Sequence, residues 1–287
     1  LDTSGIPPLA FVATGIIALT GINLVNRLAV NSIKTRWGLI AANYVTALTL
    51  SFAMYALNGF HPASPFTIGL AVVSGLLYIG GMYLGITTIG RRGASISVSA
   101  SQLSVLIPVS LSVLVFGDSL SLTQLIGVGV ALVSLPLLAA KATGLNGTLD
   151  RDTLALIVVQ LVVQGFAQFT SKVLVASGFG GERDAFFVVV FTAATLVTIP
   201  IALRNRAEIM RNDFAYGSAV GVCNISVNLS TLLALTLLPG AVVYPLINSG
   251  GLLLVTVLAW IIFKEKISRV NALGIALTLA AVLLINL

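Results

Sequence analysis

The sequence predicts an all-α integral membrane protein of ten transmembrane helices, built as two inverted five-helix repeats. Three observations predict it. First, 57% of the residues are hydrophobic and 8% charged, with a mean hydropathy of +1.08; in water-soluble domains about a quarter of residues are charged. Second, the apolar runs are near-continuous over about 20 residues, the length at which a helix crosses hydrocarbon. Barrel strands would alternate instead, and helices and closed barrels alone satisfy their own amides in lipid. Third, FGDSLSLTQLIGVGVAL at 116–132 is echoed by FKEKISRVNALGIALTL at 263–279.

Taken in order, the apolar runs between polar or Pro/Gly punctuation are 7–30, 37–57, 66–89, 94–116, 122–140, 153–176, 185–203, 214–237, 241–263 and 270–286. The first begins at Pro7 with no basic stretch before it and no small-residue cleavage site after it, so it is read as a helix and not as a cleaved signal. After the second comes the polar connection HPASP, which holds the single histidine, His61. Gly90 and Gly93 flank Arg91 and Arg92 in a tight turn after the third. Asp118 and Glu265 begin the turns after the fourth and ninth, where a carboxylate caps the free amides of the next helix. Connections are short throughout, so no soluble domain is inserted. The lone Cys223 allows no intrachain disulfide.

The two echoing stretches each cover the end of one span, a turn and most of the next. Phe116 answers Phe263, Asp118 answers Glu265, Ser121 answers Ser268, Gln124 answers Asn271 and Gly127 answers Gly274, all 147 residues apart. Upstream, YVTALTL at 44–50 resembles VFTAATL at 190–196, and Arg27 falls opposite Lys172. The chain therefore divides into 1–146 and 147–287, two homologous halves of five helices within one membrane domain. Five is odd, so the second copy enters the membrane from the opposite face. Such inverted pairs are a built-in route to alternating access.

Thirteen of the fifteen lysines and arginines lie in the connections after spans 1, 3, 5, 7 and 9; the other side holds Lys172 and Arg183. The positive-inside rule puts the odd connections in the cytoplasm. The net charge of +6 is scattered over helix ends and forms no single patch, which anionic headgroups explain better than nucleic acid, and no nucleic-acid partner is expected.

Two five-helix halves, each closing with an aromatic, an acid two residues on and a glycine-bearing last helix, resemble the drug/metabolite transporter (DMT) superfamily, in particular its ten-helix EamA-like members. The residues that carry the resemblance are FGDSLSLTQLIGVGVALVSLPLL and FKEKISRVNALGIALTLAAVLLI. It covers essentially the whole chain, and its motifs mark superfamily better than substrate. The resemblance implies a ten-helix basket around a central cavity that moves small metabolites such as amino acids, nucleosides or drugs, commonly outward. It also implies both termini in the cytoplasm, opposite to the charge count.

Polar side chains inside spans are costly unless they face protein or a water-filled cavity, so they mark a pathway. On span 8, Asn224, Asn228 and Thr231 share one helical face; on span 6, Gln160, Gln164 and Gln168 repeat every fourth residue. On span 4, Ser97, Ser101 and Ser104 share a face with Gln102 beside it, and Asn248 and Ser249 on span 9 match Ser101 and Gln102. Asn23 on span 1 lies on a face with Thr20 and Arg27, and Tyr44, Tyr78, Tyr83 and Tyr244 add phenols. Pro108 and Pro245 remove backbone donors and kink their helices. The competing account is close packing and interhelical hydrogen bonding, which also use Ser, Thr, Gly and Asn. It is preferred for the span 4 serines and for Gly80, Gly81, Gly85, Gly127 and Gly274. Arg27 and Lys172 are expected to snorkel to headgroups.

Every acid falls at or beyond a span end. A proton-coupled cation exporter usually needs a buried carboxylate, so its lack favours a neutral or zwitterionic substrate over a multidrug-type cation antiporter. One loop histidine, one cysteine and no central acid leave no nucleophile, base or metal cluster; no enzymatic activity, cofactor or metal is expected. The expected function is secondary transport of small polar metabolites, amino acids foremost, by alternating access in the cell (inner) membrane. Its alternatives are a multidrug, cation or nucleotide-sugar-like exchanger of the same fold and a non-transporting bundle. Partners are the substrate and the lipid bilayer, with a monomer expected and a dimer as the alternative.

Overall fold

The computed structural model describes residues 7–29, 36–92, 101, 103–139, 151–205, 211–263 and 269–285. Among the described residues the chain forms ten α-helices: α1 Pro8–Ala29, α2 Arg36–Leu57, α3 Pro65–Arg92, α4 Leu106–Phe116, α5 Leu122–Ala139, α6 Arg151–Ala176, α7 Arg183–Arg204, α8 Arg211–Leu235, α9 Gly240–Phe263 and α10 Arg269–Ile285. A 3-10 turn, Gly180–Glu182, leads into α7. Seven helices (α1, α2, α3, α6, α7, α8 and α9) contain segments long and apolar enough to cross a membrane, and α4, α5 and α10 are shorter and apolar. The chain is an all-α, multi-pass membrane protein.

The helix ends follow local chemistry. Ser64 caps α3 through its hydroxyl, 3.2 Å from the Thr67 amide, with Pro65 at the first helical position. Ser121 and Gln124 form a reciprocal capping box at α5: the Gln124 amide donates to Ser121 Oγ at 3.2 Å and the Ser121 amide to Gln124 Oε1 at 3.1 Å. Gly117 ends α4 in the left-handed region at φ 66°, with the amides of Gly117 and Asp118 closing on Val113 and Ser112 carbonyls.

Span 94–116 departs from the sequence expectation. Ser101 and Leu103 are helical, a turn follows at Ser104 and Val105, and α4 begins at Leu106. Pro108 explains the break: it has no N–H for the Ser104 carbonyl four residues back, and its ring crowds that carbonyl. Ser104 instead accepts from the Ile107 amide at 3.1 Å, a tighter i to i+3 bond. Pro245, also expected to disrupt its helix, lies inside the continuous α9.

The chain folds as two compact units that each draw on both halves of the sequence. Unit 1 holds Leu1–Ile79 and Val173–Thr236; unit 2 holds Gly80–Lys172 and Leu237–Leu287. In unit 1, α8 packs against α2 and α1, and α2 against α7. Gly217 and Gly221, one turn apart on α8, allow backbone contact with α2: a Cβ on Gly217 would lie 2.5 Å from the Leu39 carbonyl oxygen, and one on Gly221 2.6 Å from that of Asn43. Phe186, Phe187, Phe191 and Tyr44 fill the adjoining core.

In unit 2, α5 packs on α10, and α9 on α4 and α5. Gly127 admits α10 closely, since a Cβ there would meet Ile285 Cγ1 at 2.7 Å. Thr278 donates to Ser134 at 2.9 Å within that contact.

Candidate functional site

Unit 1 contains a hydrogen-bonded chain of amides. Its foundation is the close approach at Gly221, which brings α2 and α8 together one turn before Asn224. Asn224 Nδ2 thereby reaches Asn43 Oδ1 at 3.1 Å. Asn228, one turn further along α8, donates from Nδ2 to both the carbonyl oxygen (2.8 Å) and Oδ1 (2.7 Å) of Asn224. The Tyr78 hydroxyl of α3 donates to Asn228 Oδ1. Three helices thus contribute to one polar thread inside an apolar bundle, and each amide is satisfied where an unsatisfied one is costly.

Asn43, only 2% exposed, is the member sequence reasoning missed. The available signal is an amide inside the apolar run IAANYVTAL of span 2, directly before Tyr44.

In unit 2 the three glutamines of α6 form a ladder whose rungs point to different partners. Gln160 Nε2 donates to Ser101 Oγ at 3.2 Å, Gln164 Nε2 to the Gly81 carbonyl at 3.3 Å, and Gln168 Nε2 to Ser104 Oγ at 2.8 Å. Ser104 passes the bond on to the Ser101 carbonyl at 2.6 Å, and Tyr244 of α9 donates to the Gln168 carbonyl at 3.0 Å. Gly165 permits this closeness: a Cβ there would lie 2.6 Å from Ile107 Cβ and 2.8 Å from the Ser104 carbonyl oxygen.

The remaining candidates stand apart from both arrangements. Asn23, Thr231 and Asn248 donate back to carbonyls of their own helices, at Leu19, Val227 and Tyr244. Tyr83 is 56% exposed. Ser97 and Gln102 lie outside the described residues.

Two charged groups differ from expectation. Lys172 does not snorkel: it is buried, and its Nζ donates to Asp118 Oδ1 at 2.7 Å, beside the Phe116 ring at 5.9 Å. Asp118 does not cap α5, a task Ser121 takes. The Gly117 turn aims its carboxylate at the start of α9, where Oδ2 accepts from the Gly240 amide at 2.6 Å and the Ala241 amide at 3.4 Å. The attraction of a carboxylate to a helix N-terminus and to an ammonium explains both contacts. Asp213 of α8 is fully buried in the helix's first turn.

No family model matches the chain. It is 28% identical over 254 residues to an uncharacterized protein of Haemophilus influenzae, a match that covers 85% of this chain and 86% of that one. A protein known from a crystal structure is similar at TM-score 0.76 and 14% identity, over 97% of this chain and 98% of that chain; the likeness is one of fold.

Proposed function

We propose that the protein is a secondary transporter of small polar metabolites, with amino acids or related compounds as the leading substrate class, working by alternating access between two inverted five-helix repeats. The observation that carries this reading is the Asn43–Asn224–Asn228–Tyr78 chain, a set of uncharged donors and acceptors held together inside membrane-crossing helices. Amides and hydroxyls of this kind recognise neutral or zwitterionic solutes through hydrogen bonds, and they carry no fixed charge for a cation or anion to require. Seven helices long and apolar enough to cross a membrane are compatible with the multi-pass arrangement of the DMT superfamily; on this reading the protein is a carrier in the cell membrane and not an enzyme.

The test is uptake into proteoliposomes across a panel of labelled amino acids, nucleosides and organic cations. At least one polar solute is expected to accumulate, and replacement of Asn224 and Asn228 by leucine is expected to lower that uptake at least tenfold. A wild-type protein that moves none of the panel would count against transport. Unchanged uptake by both variants would remove this chain from the pathway.

A further inference from the structure

The bonds along the unit 1 chain run in one direction, and the backbone fixes that direction. Asn228 Nδ2 meets two oxygens of Asn224, one of them the backbone carbonyl. A carbonyl oxygen accepts only, so the atom facing it is the Asn228 nitrogen, and the other Asn228 terminus is its oxygen. That oxygen receives the Tyr78 hydroxyl. The second oxygen met by Asn228 is Asn224 Oδ1, which leaves Asn224 Nδ2 to donate to Asn43 Oδ1. No single amide in the chain turns over without setting oxygen against oxygen, at Asn224 or Asn228, or nitrogen against nitrogen, at Asn43.

A phenol has one proton. Tyr78 spends it on Asn228, so toward anything else its oxygen is an acceptor only. Among the described residues no group donates to that oxygen. The two ends of the chain also differ in exposure: Asn43 is 2% exposed, whereas Tyr78 is only half-buried. Aligned bonds polarise one another, which makes the head of the chain a stronger acceptor than a lone phenol.

The geometry points to a ligand that offers a hydrogen-bond donor, a hydroxyl or an N–H group, to the Tyr78 oxygen; it rests on the transport reading only in taking the chain to face a ligand. A carboxylate or carbonyl oxygen meets repulsion there.

The experiment uses the full chain in lipid nanodiscs and four probes on one carbon skeleton, titrated calorimetrically. Leucine and N,N,N-trimethylleucine are both zwitterions, with and without N–H donors. The anions 2-hydroxy-4-methylpentanoate and 4-methylpentanoate differ by one hydroxyl. Within each pair the donor-bearing probe is expected to bind about tenfold tighter, the value of one hydrogen bond. Comparison of leucine with the hydroxy acid tells an ammonium from a hydroxyl.

Tyr78→Phe is expected to abolish the preference within each pair. Asn228→Leu frees the Tyr78 proton to donate, so 4-methylpentanoate is expected to gain affinity over wild type. Circular dichroism and size-exclusion elution identify any variant that fails to fold, and the wild-type pairs decide the matter without it. Equal binding within both pairs, no binding of any of the four, or a preference that survives Tyr78→Phe would overturn the assignment. Uptake of a panel solute with no donor preference leaves transport standing and removes this inference. Donor-selective binding with no uptake does the reverse.

Discussion

The amide chain of unit 1 and the glutamine ladder of unit 2 are built from similar side chains at the same helical spacing, yet they bond differently. Asparagine is too short to pass its neighbour, so Asn228 bonds to Asn224 on its own helix, and Asn224 reaches Asn43 only because Gly221 lets the backbones meet. Glutamine has one more methylene, and each of Gln160, Gln164 and Gln168 reaches sideways to a separate partner, Gln168 also making a long 3.5 Å contact with the Gln164 carbonyl of its own helix. The first arrangement is a single connected thread; the second is a row of staples. Loss of one member should therefore propagate in unit 1 and stay local in unit 2.

The largest contrast comes from charge. Unit 2 also holds Lys172 and Asp118, whose side chains are 8% and 10% exposed. Removal of one partner strands the other in a poorly solvated place. Asp118→Asn or Lys172→Met is expected to destabilise the protein by about 4 kcal/mol, read as thermal unfolding in detergent. The double variant is expected to recover most of that loss. A double variant no more stable than the singles would mean that the α9 cap, and not the ion pair, dominates.

Next is Asn224→Leu, which deprives Asn43 of its donor and Asn228 of one of its two acceptors and is expected to cost roughly 2 to 3 kcal/mol. Its double-mutant cycle with Tyr78→Phe should show coupling, because the two side chains belong to one thread. Additive losses would show that the thread does not act as a unit. A smaller effect is expected from Gly221→Ala, whose Cβ would press on the Asn43 carbonyl: about 1 to 2 kcal/mol from overpacking. Amide exchange at Asn43 and Asn224, followed by NMR, would report the thread opening.

The smallest change is Ser104→Ala, which removes one rung from the ladder at about 0.6 kcal/mol, the usual worth of an interhelical bond in a membrane. Its cycle with Gln160→Leu should be close to additive. Strong coupling there would make the ladder a second thread and erase the distinction between the units.

Much of the helical layout was legible without coordinates, because length and apolarity of a run report directly on its ability to cross hydrocarbon. The start of α3 at Pro65 and the end of α4 at Phe116 fall close to the punctuation in the sequence. Local chemistry was misassigned at α5, where the cap falls to Ser121 and Gln124 and not to Asp118. The site was legible in part. Asn224, Asn228, Gln164 and Gln168 stood out because amides in apolar runs are costly. Tyr78 was one phenol among several, and Asn43 was passed over because a single amide makes no pattern on its own helix.

Charge was where one-dimensional reasoning failed. Lys172 near a helix end looks like a snorkelling lysine, and Asp118 before a helix looks like that helix's cap. Each assignment is locally sound. Each yields to a partner far along the chain: 54 residues separate Lys172 from Asp118, and 122 separate Asp118 from Gly240.

By itself the sequence determined that this chain is helical and multi-pass, because those properties depend on the length and apolarity of each run. Only the tertiary structure decided which amides bond, that Asn43 closes the thread, and that Asp118 serves α9. Hydrogen bonds and ion pairs require atoms within a few ångströms, and the close approaches that permit them arise at Gly217, Gly221 and Gly165, where two distant segments meet without a side chain between them.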